Sequence, residues 1–259
     1  MCLILFAVQQ HPDWPLIVAA NRDEFHKRPT EPARLRKTSP SVLAGKDLQE
    51  GGTWMGIVPE TLLFAALTNY RDPLSRKNPA PSRGHIVEQA LGSAEDMEPF
   101  LKKLKKEGTN FNGFNLIFGT PEKLFYYSNQ TEKSLVIPPG VHGLSNHLLG
   151  TPWPKVTKGC RLLDQAIKKG AEEEDFFLLL QDRSMPEDRE LPDTGMGLEW
   201  ERILAPLFIV HPLYGTRSST TLKVHCSGEF FFTEISWDER GKETGRVRFT
   251  GQGKRPFMP

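Results

Sequence analysis

The chain has 259 residues, 38% hydrophobic and 25% charged, and its 33 basic and 32 acidic side chains leave a net charge of +1. That composition is globular, and the charge balance, with no basic stripe interleaved with aromatics, excludes a general nucleic-acid binder. Three cysteines, Cys2, Cys160 and Cys226, are too few for a disulfide framework and have no metal-ligand spacing, so no metal is expected and a reducing compartment fits.

The apolar run from Cys2 to Val8 has no basic region before it and the turn His11-Pro12-Asp13 after it, so it reads as neither a signal peptide nor a membrane span. A soluble cytoplasmic protein is the expectation. The same run predicts a buried strand, and Leu16–Ala20 predicts a second, antiparallel to it. This hairpin carries Asn21-Arg22-Asp23-Glu24-Phe25 back towards Cys2.

From His26 to Gln49 the chain is polar and contains prolines, which predicts a surface loop around a short strand at 41–44. A further hairpin is expected over 51–58 and 61–68, then a Pro/Ser/Arg/Lys-rich loop from Pro73 to Arg83. Gly84–Lys106 has helical periodicity broken near Gly92, with Met97, Phe100, Leu101 and Leu104 on one stripe. Strands are expected at 114–118, 124–128, 134–137 and 142–146, and helices at 153–169, 172–181 and 198–204. The last third returns to strands at 218–225, 229–236 and 246–250. Antiparallel hairpins with inserted helices, and no regular βαβ alternation, predict an α+β fold.

A cysteine after the initiator methionine becomes the N-terminal residue once Met1 is trimmed. Its thiol and a free α-amine of pKa about 7.7–8.0 then belong to one residue, a nucleophile with a built-in base. The alternative reading is a small apolar residue that opens a buried strand. Polar residues gather at several strand ends: Asn21-Arg22-Asp23, Thr68-Asn69, Ser145-Asn146 and Gly215-Thr216-Arg217-Ser218. Asp23 suits the α-amine, Arg22 or Arg217 could lower the Cys2 pKa or bind a carboxylate or phosphate, and Asn69 or Asn146 could donate to an oxyanion. Asn21, Asp23 and Asn69 could equally cap turns. Glu24 suits a salt bridge, Trp54 and Trp153 suit core packing, and His142 and His147 flank Asn146 as candidates for acid–base work or haem ligation.

NRDEF at 21–25, GGTW at 51–54, ALTNYRDP at 66–73, NGFNL at 112–116, HGLSNHLLGTPWPKV at 142–156 and YGTRSST at 214–220 resemble the NRDE family, which includes the transport and Golgi organisation protein 2 homologues. The resemblance runs through nearly the whole chain and implies one domain over 1–259. That family in turn is similar to the cysteine N-terminal-nucleophile (Ntn) hydrolases, which implies a four-layer αββα sandwich of two antiparallel sheets flanked by helices. It further implies catalytic roles for Cys2, Asp23, Asn69, Asn146 and Arg217, with Asn21, Arg22, Glu24 and Trp54 around a bound ligand. The arginine those hydrolases carry three residues before the aspartate is Ala20 here, so either Arg22 replaces it from a different place or the chemistry is weakened. Two functions follow from the resemblance. One is hydrolysis or transfer of an acyl group from an amide or acyl-CoA-like thioester, with no cofactor required. The other is carriage of acyl-CoA, lipid or haem, without turnover, in lipid and haem homeostasis and secretory organisation.

Overall fold

In β1 (Cys2–Val8) every residue is buried, which a strand achieves only when both its faces are covered. Successive side chains point to opposite faces. Ile4, Phe6 and Val8 enter one apolar cluster, and Leu3, Leu5 and Ala7 enter another. β2 (Leu16–Phe25) repeats the division, with Val18 and Ala20 on the first face and Ile17 and Ala19 on the second. The computed structural model describes residues 2–93, 97–131 and 133–253.

β1 and β2 lie inside a six-stranded antiparallel sheet with β10 (Gly140–Leu144), β11 (Tyr214–Val224), β12 (Glu229–Trp237) and β13 (Glu243–Gln252), in the order β10-β1-β2-β11-β12-β13. The second sheet is a seven-stranded antiparallel meander in sequence order: β3 (Thr30–Arg36), β4 (Val42–Asp47), β5 (Met55–Val58), β6 (Leu63–Asn69), β7 (Phe114–Thr120), β8 (Lys123–Ser128) and β9 (Ser134–Val136). The protein is therefore α+β with two antiparallel sheets. Their facing surfaces share one cluster, in which Phe6 and Phe232 of the first sheet meet Phe64 and Ile117 of the second. Each such side chain contributes about 1.5–3 kcal/mol by leaving water.

The helices cover the other faces. α3 (Pro154–Lys168) and α4 (Glu173–Leu180) supply Leu163, Phe176 and Leu180 against Leu3, Leu5 and Ile17. α1 (Gly84–Gly92) and α2 (Met97–Glu107) supply Val87, Leu91 and Phe100 against Leu67 and Phe118. A short helix, α5 (Leu198–Ile203), lies in the excursion of residues 181–213 between α4 and β11. Among the described residues no helix is long and apolar enough to cross a membrane.

The polar segment 26–49, expected as a loop with one short strand, contains β3 and β4 paired as a hairpin. β3 is an edge strand in which Ala33 alone of seven residues is buried, and its register slips between Glu31 and Arg34, around Pro32. An edge tolerates a residue with no N–H to donate, so neither polarity nor proline marks this strand as a loop. β2 likewise runs on through Asn21–Phe25 instead of ending at Ala20, and β11 begins at Tyr214.

The GGTW segment meets the start of α1 backbone to backbone. A Cβ on Gly52 would lie 2.5 Å from the Gly84 carbonyl carbon, and the Thr53 N–H donates to the Gly84 carbonyl at 3.3 Å. Gly52→Ala should force these backbones apart and cost about 1–3 kcal/mol, as overpacking does. Urea unfolding measures it, and an unchanged midpoint would show that no close approach constrains this position.

Candidate functional site

β1, β2 and β11 bring three side chains to one end of the six-stranded sheet. Cys2 pairs with Arg22, and Arg22 pairs with Ser218 on its other side. Cys2 continues the alternation of Ile4, Phe6 and Val8, so its thiol lies on the face turned to the other sheet. There the sheets part to leave a cavity of about 470 Å³. Cys2, Arg22, Asp23, Glu24, Trp54, Asn69 and Arg217 all line it. Asn21 and Asn146 do not.

Asn21 points the other way because it is one residue out of phase with Arg22. Its Nδ2 donates to the Leu180 and Leu207 carbonyls at 2.9 and 2.8 Å, and its Oδ1 accepts from the Ser219 hydroxyl at 2.6 Å. Its carboxamide is thereby engaged in tying β2 to the end of α4 and to the excursion. Asn146 supports the site from behind. Its Nδ2 donates to the Asn69 carbonyl at 2.9 Å and its own carbonyl accepts from the Arg71 N–H at 2.7 Å. The adjacent Ser145 hydroxyl donates to the Cys2 carbonyl at 3.2 Å. The Asn69 carboxamide itself has no hydrogen-bond partner among the described residues and lines the cavity.

Asp23 is fully buried. Its Oδ1 accepts from the Thr216 hydroxyl at 2.8 Å, and that hydroxyl in turn accepts from the Ile209 N–H at 2.9 Å. Burial raises the Asp23 pKa, while the charge of Lys155 opposes the rise. Lys155, in the first turn of α3, donates to the Leu204 carbonyl at 3.0 Å, and burial pulls its pKa down to about 8.

The expectation that a guanidinium would lower the Cys2 pKa is overridden. Arg22 acts in that direction, but burial of the thiol dominates and the Asp23 charge adds to it, so the net shift is upward. Arg217 is largely occupied elsewhere. Its Nη1 donates to the carbonyls of Phe25, His26 and Arg28 at 3.3, 3.1 and 3.2 Å, and it stands at a register irregularity between Thr216 and Ser218. His142 and His147 do not line the cavity. Both ring nitrogens of His147 are engaged, with the Tyr70 hydroxyl at 2.7 Å and the Thr151 hydroxyl at 2.8 Å.

Several lining residues escaped the sequence reading. Carboxylates and cations line the cavity in equal number, six of each among the described residues, and two of the carboxylates hold neighbours within the protein. Asp47 holds Arg28 at 2.6 Å, and Glu234 accepts from the Ala33 N–H at 2.7 Å and the Thr220 hydroxyl at 3.3 Å. Arg22 is only 8% exposed, yet its Nη1 is buried with no partner among the described residues. Arg83 donates to the Gly113 carbonyl at 3.0 Å, and burial followed by the charges of Arg76 and Arg28 pulls its pKa down to about 10. The Arg22 guanidinium, with its buried Nη1 short of a partner among the described residues, suits an anionic group at that point of the cavity. Glu234 was detectable: it shares the inward parity of Phe230 and Phe232, and an acid on an apolar strand face is a buried carboxylate. Arg83 carried no such signal in its polar loop.

A family model described as Transport and Golgi organisation 2 matches residues 1–239. The chain belongs to that family. The transport and Golgi organization protein 2 homolog of Bos taurus is 38% identical over 258 residues, covering 91% of this chain and 93% of the bovine protein. The Mus musculus and Homo sapiens homologs are each 35% identical, covering 97% of this chain and the whole of each relative. In this member of the transport and Golgi organisation 2 family, the Asn-Arg-Asp-Glu segment is the end of a central strand, with Arg22 in the cavity and Asn21 in the helix-side layer.

Beyond the cavity, Arg71 and Glu201 form a buried ion pair at 2.5 Å that joins the end of β6 to α5. Truncating one member leaves the other charge buried and unpaired, so Glu201→Ala should cost about 3–5 kcal/mol in chemical denaturation. A loss below about 1 kcal/mol, the range of exposed pairs, would show that water reaches Arg71. For Cys2, alkylation by iodoacetamide should have its pH midpoint above that of an exposed thiol, and Asp23→Asn should move that midpoint down by removing the charge that raises it. The rate-versus-pH profile measures both, and an upward move in Asp23→Asn would reverse the assigned sign.

Proposed function

We propose that this protein is an Ntn-type acyl-transfer protein with Cys2 as nucleophile, acting on an acyl thioester or amide whose leaving group carries phosphate-like negative charge, as acyl-CoA does. One observation carries the reading: the cavity that holds the Cys2 thiol also holds Asp23, the Asn69 carboxamide and an Arg22 Nη1 left without a partner among the described residues. The layering of helices, sheet, sheet and helices agrees with the αββα sandwich that the Ntn resemblance implies.

In the proposed sequence, removal of Met1 frees the Cys2 amine beside Asp23. The amine takes the thiol proton, Sγ bonds to the acyl carbon, and the bond from that carbon to the leaving sulfur or nitrogen breaks. The leaving group receives the proton. The Asn69 N–H donates to the oxyanion, a role whose loss costs about 10²–10³-fold elsewhere. Water then attacks the Cys2 thioester, releasing a carboxylic acid and the thiol, or an amine attacks and takes the acyl group. Arg22, Arg76 and Arg83 bind the anionic leaving group.

Burial of the Cys2 thiol favours a second reading, because a protonated thiol is a poor nucleophile. In it the same cavity carries acyl-CoA without turnover, in keeping with relatives named for transport and Golgi organization. Haem is the less suited cargo, since among the described residues no histidine lines the cavity and Cys2 alone brings a sulfur to it.

Intact mass of the purified protein and acyl-CoA hydrolysis, followed as free-thiol release, separate the readings. The enzyme reading expects loss of Met1 and turnover that falls by orders of magnitude in Cys2→Ala, up to the ~10⁶-fold loss seen when a covalent nucleophile is removed. It also expects Arg22→Gln to raise KM for acyl-CoA more than it lowers kcat. Retained Met1, with acyl-CoA binding unchanged in Cys2→Ala and no hydrolysis, establishes the carrier and ends the enzyme reading.

A further inference from the structure

At the far end of the same sheet, seven residues along β1 and so roughly 20 Å from Cys2, the tips of two hairpins meet. The β1–β2 turn carries Asp13 and the β11–β12 turn carries His225 and Cys226. The carboxylate, imidazole and thiol ligand atoms of these three all lie within 4.8 Å of one another. We propose that they form a binding site for a borderline-soft divalent cation of the Zn²⁺ class, a site independent of the Cys2 cavity.

The first argument is geometric. Zn²⁺ bonds of about 2.3 Å to sulfur and 2.0–2.1 Å to nitrogen at a tetrahedral angle place the two ligand atoms about 3.6 Å apart. The Cys226 Sγ is 3.9 Å from the His225 Nε2. Small side-chain rotations of residues that are exposed (Asp13) or half-buried (His225, Cys226) close the remaining gaps. A Cys/His/Asp set leaves the fourth corner to water, and its mixture of soft and borderline donors disfavours Mg²⁺ and Ca²⁺.

The second argument is preorganisation. The Cys226 N–H donates to the Asp13 carbonyl at 2.8 Å, so the two turns are already joined through the backbone. The imidazole is fixed on two sides: Trp14 packs edge-on at 5.0 Å between ring centroids, and Nδ1 lies 2.8 Å from the Ser227 hydroxyl. Nδ1 also accepts from the Ser227 N–H at 3.1 Å, so the neutral ring carries its proton on Nε2; metal binding at Nε2 moves that proton to Nδ1, which then donates to the Ser227 hydroxyl in place of the released Ser227 N–H. The charge also closes, since Asp13 carboxylate and Cys226 thiolate together neutralise a dication. Lys223 holds its ammonium 4.0 Å above the ring of Trp14, the residue after Asp13. On binding, the Cys226 thiol proton leaves to solvent as the S–metal bond forms. The product is a staple between two hairpin tips that are 212 positions apart in sequence from Asp13 to His225 (225 minus 13).

Co²⁺ is the probe, because a thiolate–Co²⁺ bond gives a near-ultraviolet charge-transfer band and a tetrahedral site gives visible d–d bands. Titration of the purified full chain should saturate at one equivalent, with Zn²⁺ displacing the cobalt. The band should persist in Cys2→Ser and vanish in Cys226→Ser. His225→Gln and Asp13→Asn should weaken binding by at least about tenfold, the lower end of what disturbing a metal site costs. Zn²⁺ should raise Tm in the wild type and in Cys2→Ser but not in Cys226→Ser. Circular dichroism without metal checks that each variant is folded. Absence of the band in the wild type, or its survival in folded Cys226→Ser, overturns the site.

Discussion

Two faces of one strand pair hold this protein together. β1 and β2 are covered by the second sheet on one side and by α3 and α4 on the other, and each residue along them is assigned to a layer by its parity. The pairing of Cys2 with Arg22 and of Arg22 with Ser218 follows from the antiparallel register that this double burial enforces. The cavity is a consequence of the same arrangement. Past Ile4 and Ala20 the apolar inter-sheet cluster gives way to thiol, guanidinium and carboxylate, and the sheets no longer close on each other.

The site is braced chiefly through backbone groups. Asn146 holds the Asn69 carbonyl and the Arg71 amide, Ser145 holds the Cys2 carbonyl, and Arg217 holds three carbonyls at the end of β2. Side chains that catch the eye in the sequence as chemical groups are thus employed in fixing where others point. The buried carboxylate of Glu234 does the same between sheets by accepting the Ala33 N–H across the gap.

Much of this was legible from residue order. The β1–β2 hairpin follows from an apolar run, a Pro-Asp turn and a second apolar run, and it places the Asn-Arg-Asp-Glu segment beside Cys2. The helices follow from the periodicity of Met97, Phe100 and Leu104 and of Val156, Leu163 and Ile167. What was hidden had physical causes. β3 looks like a loop because an exposed edge needs neither apolar alternation nor a full set of N–H donors. Asn21–Phe25 looks like a strand end because polar residues buried by long-range hydrogen bonds leave no local hydrophobic signal. Arg83 and Lys155 enter their sites through tertiary packing alone. Asp13, His225 and Cys226 come together only once β2 and β11 pair, so spacing along the chain says nothing of them.

The alternation of Asn21 and Arg22 also bears on how such a chain can change over generations. Asn21 is consumed by three contacts in the helix layer while its neighbour serves the cavity, so a single codon gained or lost between Leu16 and Asn21 would exchange the two layers' contents wholesale. Point substitutions there are local events, whereas a frame-preserving insertion rewrites both sides of the sheet at once. Length variation among descendants is thereby channelled into the surface turns, which carry no such double assignment.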